Sequence, residues 1–189
     1  MTRREKDDFY PTPPEMVESL LIREFSSPLN IHEPACGDGA ISKVLESHGH
    51  KVYSSDLIDR GFGSAGIDFL LETAKPCDFL ITNPPYKLAQ QFVIKAIHLG
   101  YKKHAWLLRL AFLEGQKRYE SLFCKHPFDI CYVFSRRRTI WRGDEERNGC
   151  GTIPYAWFIW SEDSYRQRIE WLCLTVATKG LVGKEPWPQ

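Results

Sequence analysis

No apolar run in the 189-residue sequence approaches the ~18 residues that a membrane-spanning helix needs. The first eight residues, Met1 to Asp8, are dominated by charge and lack the apolar segment of a secretory signal. A soluble, cytoplasmic protein that does not engage a membrane is therefore expected. The six cysteines, Cys36, Cys77, Cys124, Cys131, Cys150 and Cys173, form no Cys-x-x-Cys pair and stand at no metal-ligand spacing from histidine. Reduced core cysteines are expected, with neither a disulfide scaffold nor a metal centre. Internal repeats and low-complexity segments are also missing. Charge of one sign is scarce, since the formal net charge is only +1.

What is present is an ordinary globular composition, 43% hydrophobic and 26% charged. The length fills one core and is too short for two ordinary domains, so residues 1–189 read as a single domain. Residues 1–8 and 179–189 read as flexible tails. The near-zero charge hides an asymmetry. Residues 101–142 carry 10 Lys or Arg against 3 Asp or Glu, a local +7, whereas residues 1–100 carry 10 against 14. Either one face is built for an anion, or the surface is simply uneven in charge.

Strands and helices alternate along the chain. Thr12 followed by Glu15 has the form of a capping box, with Pro13 opening a helix that runs to about Phe25. Strands are expected at 29–33, 51–56, 67–70, 78–82, 104–112, 130–134 and 155–160. Helices follow Ala40, span Ala89 to Gly100 on the spacing of Phe92, Val93, Ala96 and Ile97, and recur around Tyr119, Leu122 and Phe123. This is an α/β protein with a doubly wound, mostly parallel sheet whose last strands are antiparallel.

Two motifs fall at strand ends, where such sheets bind ligands. Gly37-Asp38-Gly39 follows the first strand, and glycines there admit a ligand close to the backbone. A plain tight turn is the alternative. Asp56 ends the second strand 19 residues after Gly37, where a carboxylate can bond two ribose hydroxyls. Ser42 occupies the place of the third glycine of a dinucleotide fingerprint, which counts against a nicotinamide or flavin cofactor. After the fourth strand comes Asn83-Pro84-Pro85-Tyr86. The prolines stiffen the turn and leave carbonyl acceptors, Asn83 adds a side-chain acceptor, and Tyr86 adds a flat ring. Together they form a clamp for a planar amino group.

Glu33-Pro34-Ala35-Cys36-Gly37-Asp38-Gly39 followed by Asn83-Pro84-Pro85-Tyr86 resembles the S-adenosylmethionine-dependent amino methyltransferases, above all the DNA adenine-N6 methyltransferases. Tyr10-Pro11-Thr12-Pro13 resembles their N-terminal cofactor motif, and the likeness covers roughly residues 9 to 135. It implies a Rossmann-like class I methyltransferase domain with a seven-stranded sheet. It also implies a cofactor site of Tyr10, Pro11, Thr12, Pro13, Glu33, Pro34, Ala35, Gly37, Gly39, Asp56, Leu57, Asp68, Phe69 and Asn83. Thr12 would lie near the cofactor carboxylate, Asp56 on its ribose, Leu57 on the adenine ring, and Asp68 with Phe69 at its edge and face. A local cap is the alternative for Asp68. Asn83, Pro84, Pro85 and Tyr86 would be catalytic, with Tyr86 stacked on an extruded target base.

A nucleic-acid partner, DNA before RNA, gives the basic stretch a purpose. Lys102, Lys103, Lys117, Arg118, Arg136, Arg137, Arg138 and Arg142 could hold phosphates, and Trp141 could wedge into the nucleic acid. The 136–153 segment is the candidate contacting loop, with a mixed-charge hairpin as the alternative because of Asp144, Glu145 and Glu146. Arg109 interrupts an apolar strand and needs an anionic partner, either in the substrate cleft or on a buried carboxylate. The same clamp also suits RNA base amines or a protein glutamine amide. A dinucleotide oxidoreductase and a non-catalytic nucleic-acid binder are the other classes, and neither gives Asn83 to Tyr86 a role.

Overall fold

His104, Ala105, Trp106, Leu107 and Leu108 are five consecutive buried residues, because both faces of their strand are covered. This strand sits inside an eight-stranded sheet. The computed structural model describes residues 9–136, 139–140, 153–162 and 167–172. The strands are β1 (Asn30–Glu33), β2 (Lys51–Asp56), β3 (Ser64–Ala65), β4 (Phe79–Thr82), β5 (Lys103–Arg109), β6 (Ile130–Phe134), β7 (Tyr155–Ser161) and β8 (Arg168–Leu172). Their order across the sheet is β3-β2-β1-β4-β5-β7-β6-β8. Every pairing is parallel except those of β7, which runs antiparallel to both β5 and β6. The antiparallel relation expected of β6 and β7 is present. The chain moves outward from β1 to β3 and then returns to β4, so strand order reverses between β1 and β4.

Helices α1 (Pro14–Glu24) and α2 (Ala40–Ser47) pack on one face, where Met16, Leu20, Ile41 and Leu45 meet Ile81, Leu107 and Trp157. The Trp157 indole N–H donates to the Met16 carbonyl at 2.8 Å, tying α1 to the sheet. Helix α3 (Ala89–Leu99) covers the other face, where Phe92, Val93 and Ala96 meet Leu80, Trp106 and Phe158. Gly100, at φ +71°, stops it. One helical turn, α4 (Gln116–Arg118), continues into a π-helical turn at Tyr119–Phe123 that buries Leu122 and Phe123.

The sequence reading needs four corrections. The sheet has an eighth strand, β8, where seven were expected. The third strand is Ser64–Ala65 rather than 67–70, because the Asp68 carboxylate accepts the Leu70 N–H at 2.9 Å and winds Phe69–Leu71 into a 3₁₀ turn. Strand β5 stops at Arg109, and Leu110–Leu113 forms another 3₁₀ turn. The capping box does not form: Pro13 is the N-cap, Pro14 opens α1, and the Thr12 hydroxyl is engaged elsewhere.

Two buried histidines in the sheet are held neutral. The Trp106 indole, which can only donate, gives its N–H to His104 Nδ1 at 2.6 Å, so that nitrogen carries a lone pair. Burial pulls the pKa of His104 down to about 3 and that of His32 to about 4. Both folded values lie below the unfolded value of about 6.5. Their stabilising contribution is therefore complete above pH 6.5 and is lost as pH falls toward 4 and 3. From pH 7 to pH 5 each should cost about 2 kcal/mol of unfolding free energy. Urea titrations should show this loss, and His104→Gln should remove one histidine's share of the slope.

Candidate active site

The reversal between β1 and β4 sets Glu33 and Asn83 near each other at the carboxyl edge of the sheet. A cavity of about 370 Å³ opens there, a size ordinary for a small-molecule site. Of the residues expected at the cofactor, Tyr10, Pro11, Thr12, Glu33, Pro34, Ala35, Gly37, Asp56, Leu57, Asp68, Phe69 and Asn83 all border it. Pro13 and Gly39 do not.

The open side of Gly39 is already filled. At φ +81°, a Cβ here would stand 2.6–2.7 Å from three ring atoms of Phe62. Gly37, at φ +57°, is similarly covered by Phe9, whose ring would meet a Cβ at 2.7 Å. Arg60 stacks on the other aromatic partner, 4.2 Å from the Phe9 ring centroid. Phe9, Phe62 and Arg60 were not found by sequence reasoning, and no local pattern marks them. Gly39→Ala should cost about 2–4 kcal/mol, the sum of a left-handed backbone and an overpacked ring. A urea midpoint measures it, and adding Phe62→Leu should recover part of the loss.

Asp56 ends β2 and receives two backbone donors. Its Oδ2 accepts from Gly37 N–H at 2.8 Å and its Oδ1 from Ile58 N–H at 2.9 Å. The carboxylate thus joins the glycine turn to the next loop, with lone pairs remaining on both oxygens. Leu57 beside it is 60% exposed, an apolar side chain offered at the cavity wall. Asp68 caps the 3₁₀ turn, as its local reading expects, and also borders the cavity. Phe69 is buried against Phe92 and edge-on to His32.

Glu33 is fully buried and accepts a hydrogen bond from the Ser42 hydroxyl. Burial pushes its pKa well up; Ser42 opposes the shift and the charges of Asp56 and Asp38 add to it. Cys36 borders the cavity, but burial first, then the Glu33 charge, pushes its thiol up to about 12. It is no thiolate nucleophile at neutral pH.

The Asn83-Pro84-Pro85-Tyr86 turn leaves β4. Asn83 Nδ2 donates to the Tyr10 carbonyl at 3.0 Å and to Thr12 Oγ1 at 3.1 Å. A backbone carbonyl can only accept, so the amide cannot sit the other way round. Asn83 and Pro85 border the cavity, and Pro84 between them is buried. The Tyr86 ring is flanked by Tyr10 and Tyr155, each 5.7 Å away, and by the Arg109 guanidinium at 4.8 Å. Burial raises the pKa of Tyr86 well above its usual range, so it remains a neutral phenol.

The basic residues separate. Lys102 pairs with Asp78 at 2.8 Å and Lys103 with Glu24 at 2.5 Å. Both lie at the amino end of β5, six residues and roughly 20 Å from the edge that carries the cavity. They cannot share a surface with it, which corrects their placement among phosphate contacts. Arg118 is turned onto its own loop, donating to the Phe112 carbonyl at 2.8 Å and the Glu114 carbonyl at 2.6 Å. Lys117 and Arg136 are exposed. Lys87, unnoticed in the sequence although it directly follows the motif, is exposed and borders the cavity. Arg137, Arg138, Trp141 and Arg142 lie outside the described residues, as do the proposed tails. Among the described residues no cluster of His, Cys, Asp and Glu could hold a metal, and no helix is long and apolar enough to cross a membrane.

No protein-family model and no curated sequence matches the chain. Solved structures do. A type I restriction-modification methyltransferase subunit from Streptococcus thermophilus aligns at a TM-score of 0.61 and 14% identity. The match covers 89% of this chain and 48% of that one, so the chain spans about half the length of that subunit. A protein of Pyrococcus horikoshii assigned as an RNA methyltransferase aligns at 0.61 and 15% identity, covering 80% and 86%. Magnesium protoporphyrin IX methyltransferase from Synechocystis PCC 6803, solved with bound S-adenosylmethionine, aligns at 0.50 and 15% identity, covering 77% and 76%. What these proteins and this chain share is the fold.

Proposed function

We propose that this protein transfers a methyl group from S-adenosylmethionine to the exocyclic N6 amine of adenine in DNA. The observation that carries the reading is the fixed amide of Asn83. Its two N–H groups are committed to Tyr10 and Thr12, which leaves Oδ1 as the acceptor for an incoming amine. The cavity residues fit the cofactor: Asp56 for ribose hydroxyls, exposed Leu57 for a flat ring, and acidic Asp38 and Asp56 about a cationic group. When bound, S-adenosylmethionine supplies an electrophilic methyl on a sulfonium.

The chain's own residues then act on the amine. Adenine N6 is a weak nucleophile because its lone pair is delocalised into the ring. Asn83 Oδ1 and the Pro84 carbonyl accept its two N–H bonds, favouring a tetrahedral nitrogen with a localised lone pair. Positive charge grows on that nitrogen in the transition state, so both acceptors bind it more tightly there than in the ground state. Orientation in the clamp provides much of the remaining rate. Tyr86 and Cys36, both protonated at neutral pH, act as neither base nor nucleophile, and the methylated nitrogen becomes neutral by giving one N–H proton to solvent. A base within a duplex cannot reach the cavity, so the substrate is flipped out or single-stranded. Lys87, Lys117 and Arg136, with the 136–153 segment, would hold its phosphates.

Incubation with labelled S-adenosylmethionine and, separately, duplex DNA, single-stranded DNA, RNA and protein extract tests the reading. N6-methyladenine in DNA, identified by mass spectrometry, is the expected product. Label confined to RNA or protein would move the substrate to those classes.

A further inference from the structure

Arg109 is the last residue of β5 and stands opposite Tyr155 in the antiparallel register. Its side chain is half-buried, with the guanidinium 4.8 Å from the Tyr86 ring centroid and its Nε–H buried without a hydrogen-bond partner. Several other cations among the described residues are compensated. Lys75 and Lys102 share Asp78, Lys103 has Glu24, Arg168 has Glu170, and Arg118 has two carbonyls. Among the described residues Arg109 meets no carboxylate. Aromatic faces and a phenol compensate a desolvated guanidinium only in part.

The position of Arg109 says where the missing anion comes from. It ends β5, next to β4, whose end carries Asn83, so it shares the edge where the amine would enter. It does not border the 370 Å³ cavity, so the carboxylate of a bound cofactor is not its partner. We infer that Arg109 is a phosphate-binding residue, gripping the phosphodiester next to the nucleotide whose base enters the clamp. The inference rests on the nucleic-acid reading above. A guanidinium presents two parallel N–H donors that match phosphate oxygens, while the Tyr86 ring holds its plane in one orientation.

The test compares the full chain with Arg109→Gln and Arg109→Lys, using a dye-labelled, adenine-containing 20-nucleotide single-stranded DNA. Anisotropy gives affinity between 50 and 200 mM salt, and calorimetry with S-adenosylhomocysteine gives cofactor affinity. Arg109→Gln should bind the oligonucleotide ~10-fold more weakly at low salt. Its plot of log K against log salt should be shallower by about 0.7, one phosphate contact on a single strand. Cofactor affinity should stay within twofold. Arg109→Lys should keep the slope and lose at least threefold in affinity, because the charge remains and the fork does not. An unchanged slope in folded Arg109→Gln overturns the inference. Should that variant not fold, wild-type affinity in Arg109→Lys overturns it. Failure of the wild type to bind any oligonucleotide strikes instead at the nucleic-acid reading, whereas a wild type that methylates DNA beside an Arg109→Gln of normal slope removes only the role of Arg109.

Discussion

Asn83→Ala should reduce methyl transfer by about 10³-fold while leaving cofactor affinity within about threefold. The asymmetry follows from geometry. Asn83 meets the cavity at the end of β4, while the proposed ribose and adenine contacts, Asp56, Leu57 and Asp68, lie on other elements. Removing the amide deletes an acceptor that is more valuable in the transition state than in the ground state. The Thr12 hydroxyl and Tyr10 carbonyl each lose a donor, at a cost to stability of about 1 kcal/mol. Asn83→Asp separates orientation from chemistry. It retains an oxygen toward the cavity but sets a second oxygen against the Tyr10 carbonyl, so its activity should lie between the two. Single-turnover rates with saturating cofactor measure these effects. Full activity in Asn83→Ala would sink the proposed clamp.

Asp56→Asn should weaken S-adenosylmethionine binding by about 10²-fold, read by calorimetry. The carboxylate accepts from two backbone N–H groups with two different oxygens. An amide presents only one oxygen, so one N–H must face an NH₂ group and lose its bond. The glycine turn and the loop after β2 then separate, which removes a ribose acceptor and loosens its surroundings together. Catalytic rate at saturating cofactor should change much less, giving the opposite profile to Asn83→Ala. Equal losses in binding and rate would mean that Asp56 only supports the fold.

The legible parts of this protein are those whose cause is local. Helix α3 was readable because its apolar spacing and stopping glycine are properties of one segment. Asn83 to Tyr86 was readable because two prolines after a strand have few other uses. The unreadable parts depend on distant residues. Thr12 and Glu15 carry a sound capping signal, yet the Thr12 hydroxyl bonds an amide 71 residues away. Lys102 and Lys103 belong to a run that is basic when counted along the chain. A strand crosses the molecule from one side to the other, however, so its two ends serve different surfaces. Gly39 looked like a ligand contact because the turn demands glycine, and Phe62 supplies that demand instead. Strand β8 alternates Ile169 and Trp171 with charged residues, and both apolar side chains remain exposed, which left little signal of pairing.

The bonds from Tyr10 and Thr12 to Asn83 also order events in time. The acceptor acquires its direction only when a segment from the start of the described chain docks on a strand end that lies beyond two helices and three strands. The proposed cofactor cavity waits on the same closure, because Tyr10, Pro11 and Thr12 form part of its wall. During refolding, full cofactor affinity and turnover should therefore return together. Their common rate would time the arrival of residues 9–12, making enzymatic activity a clock for one long-range contact of this fold.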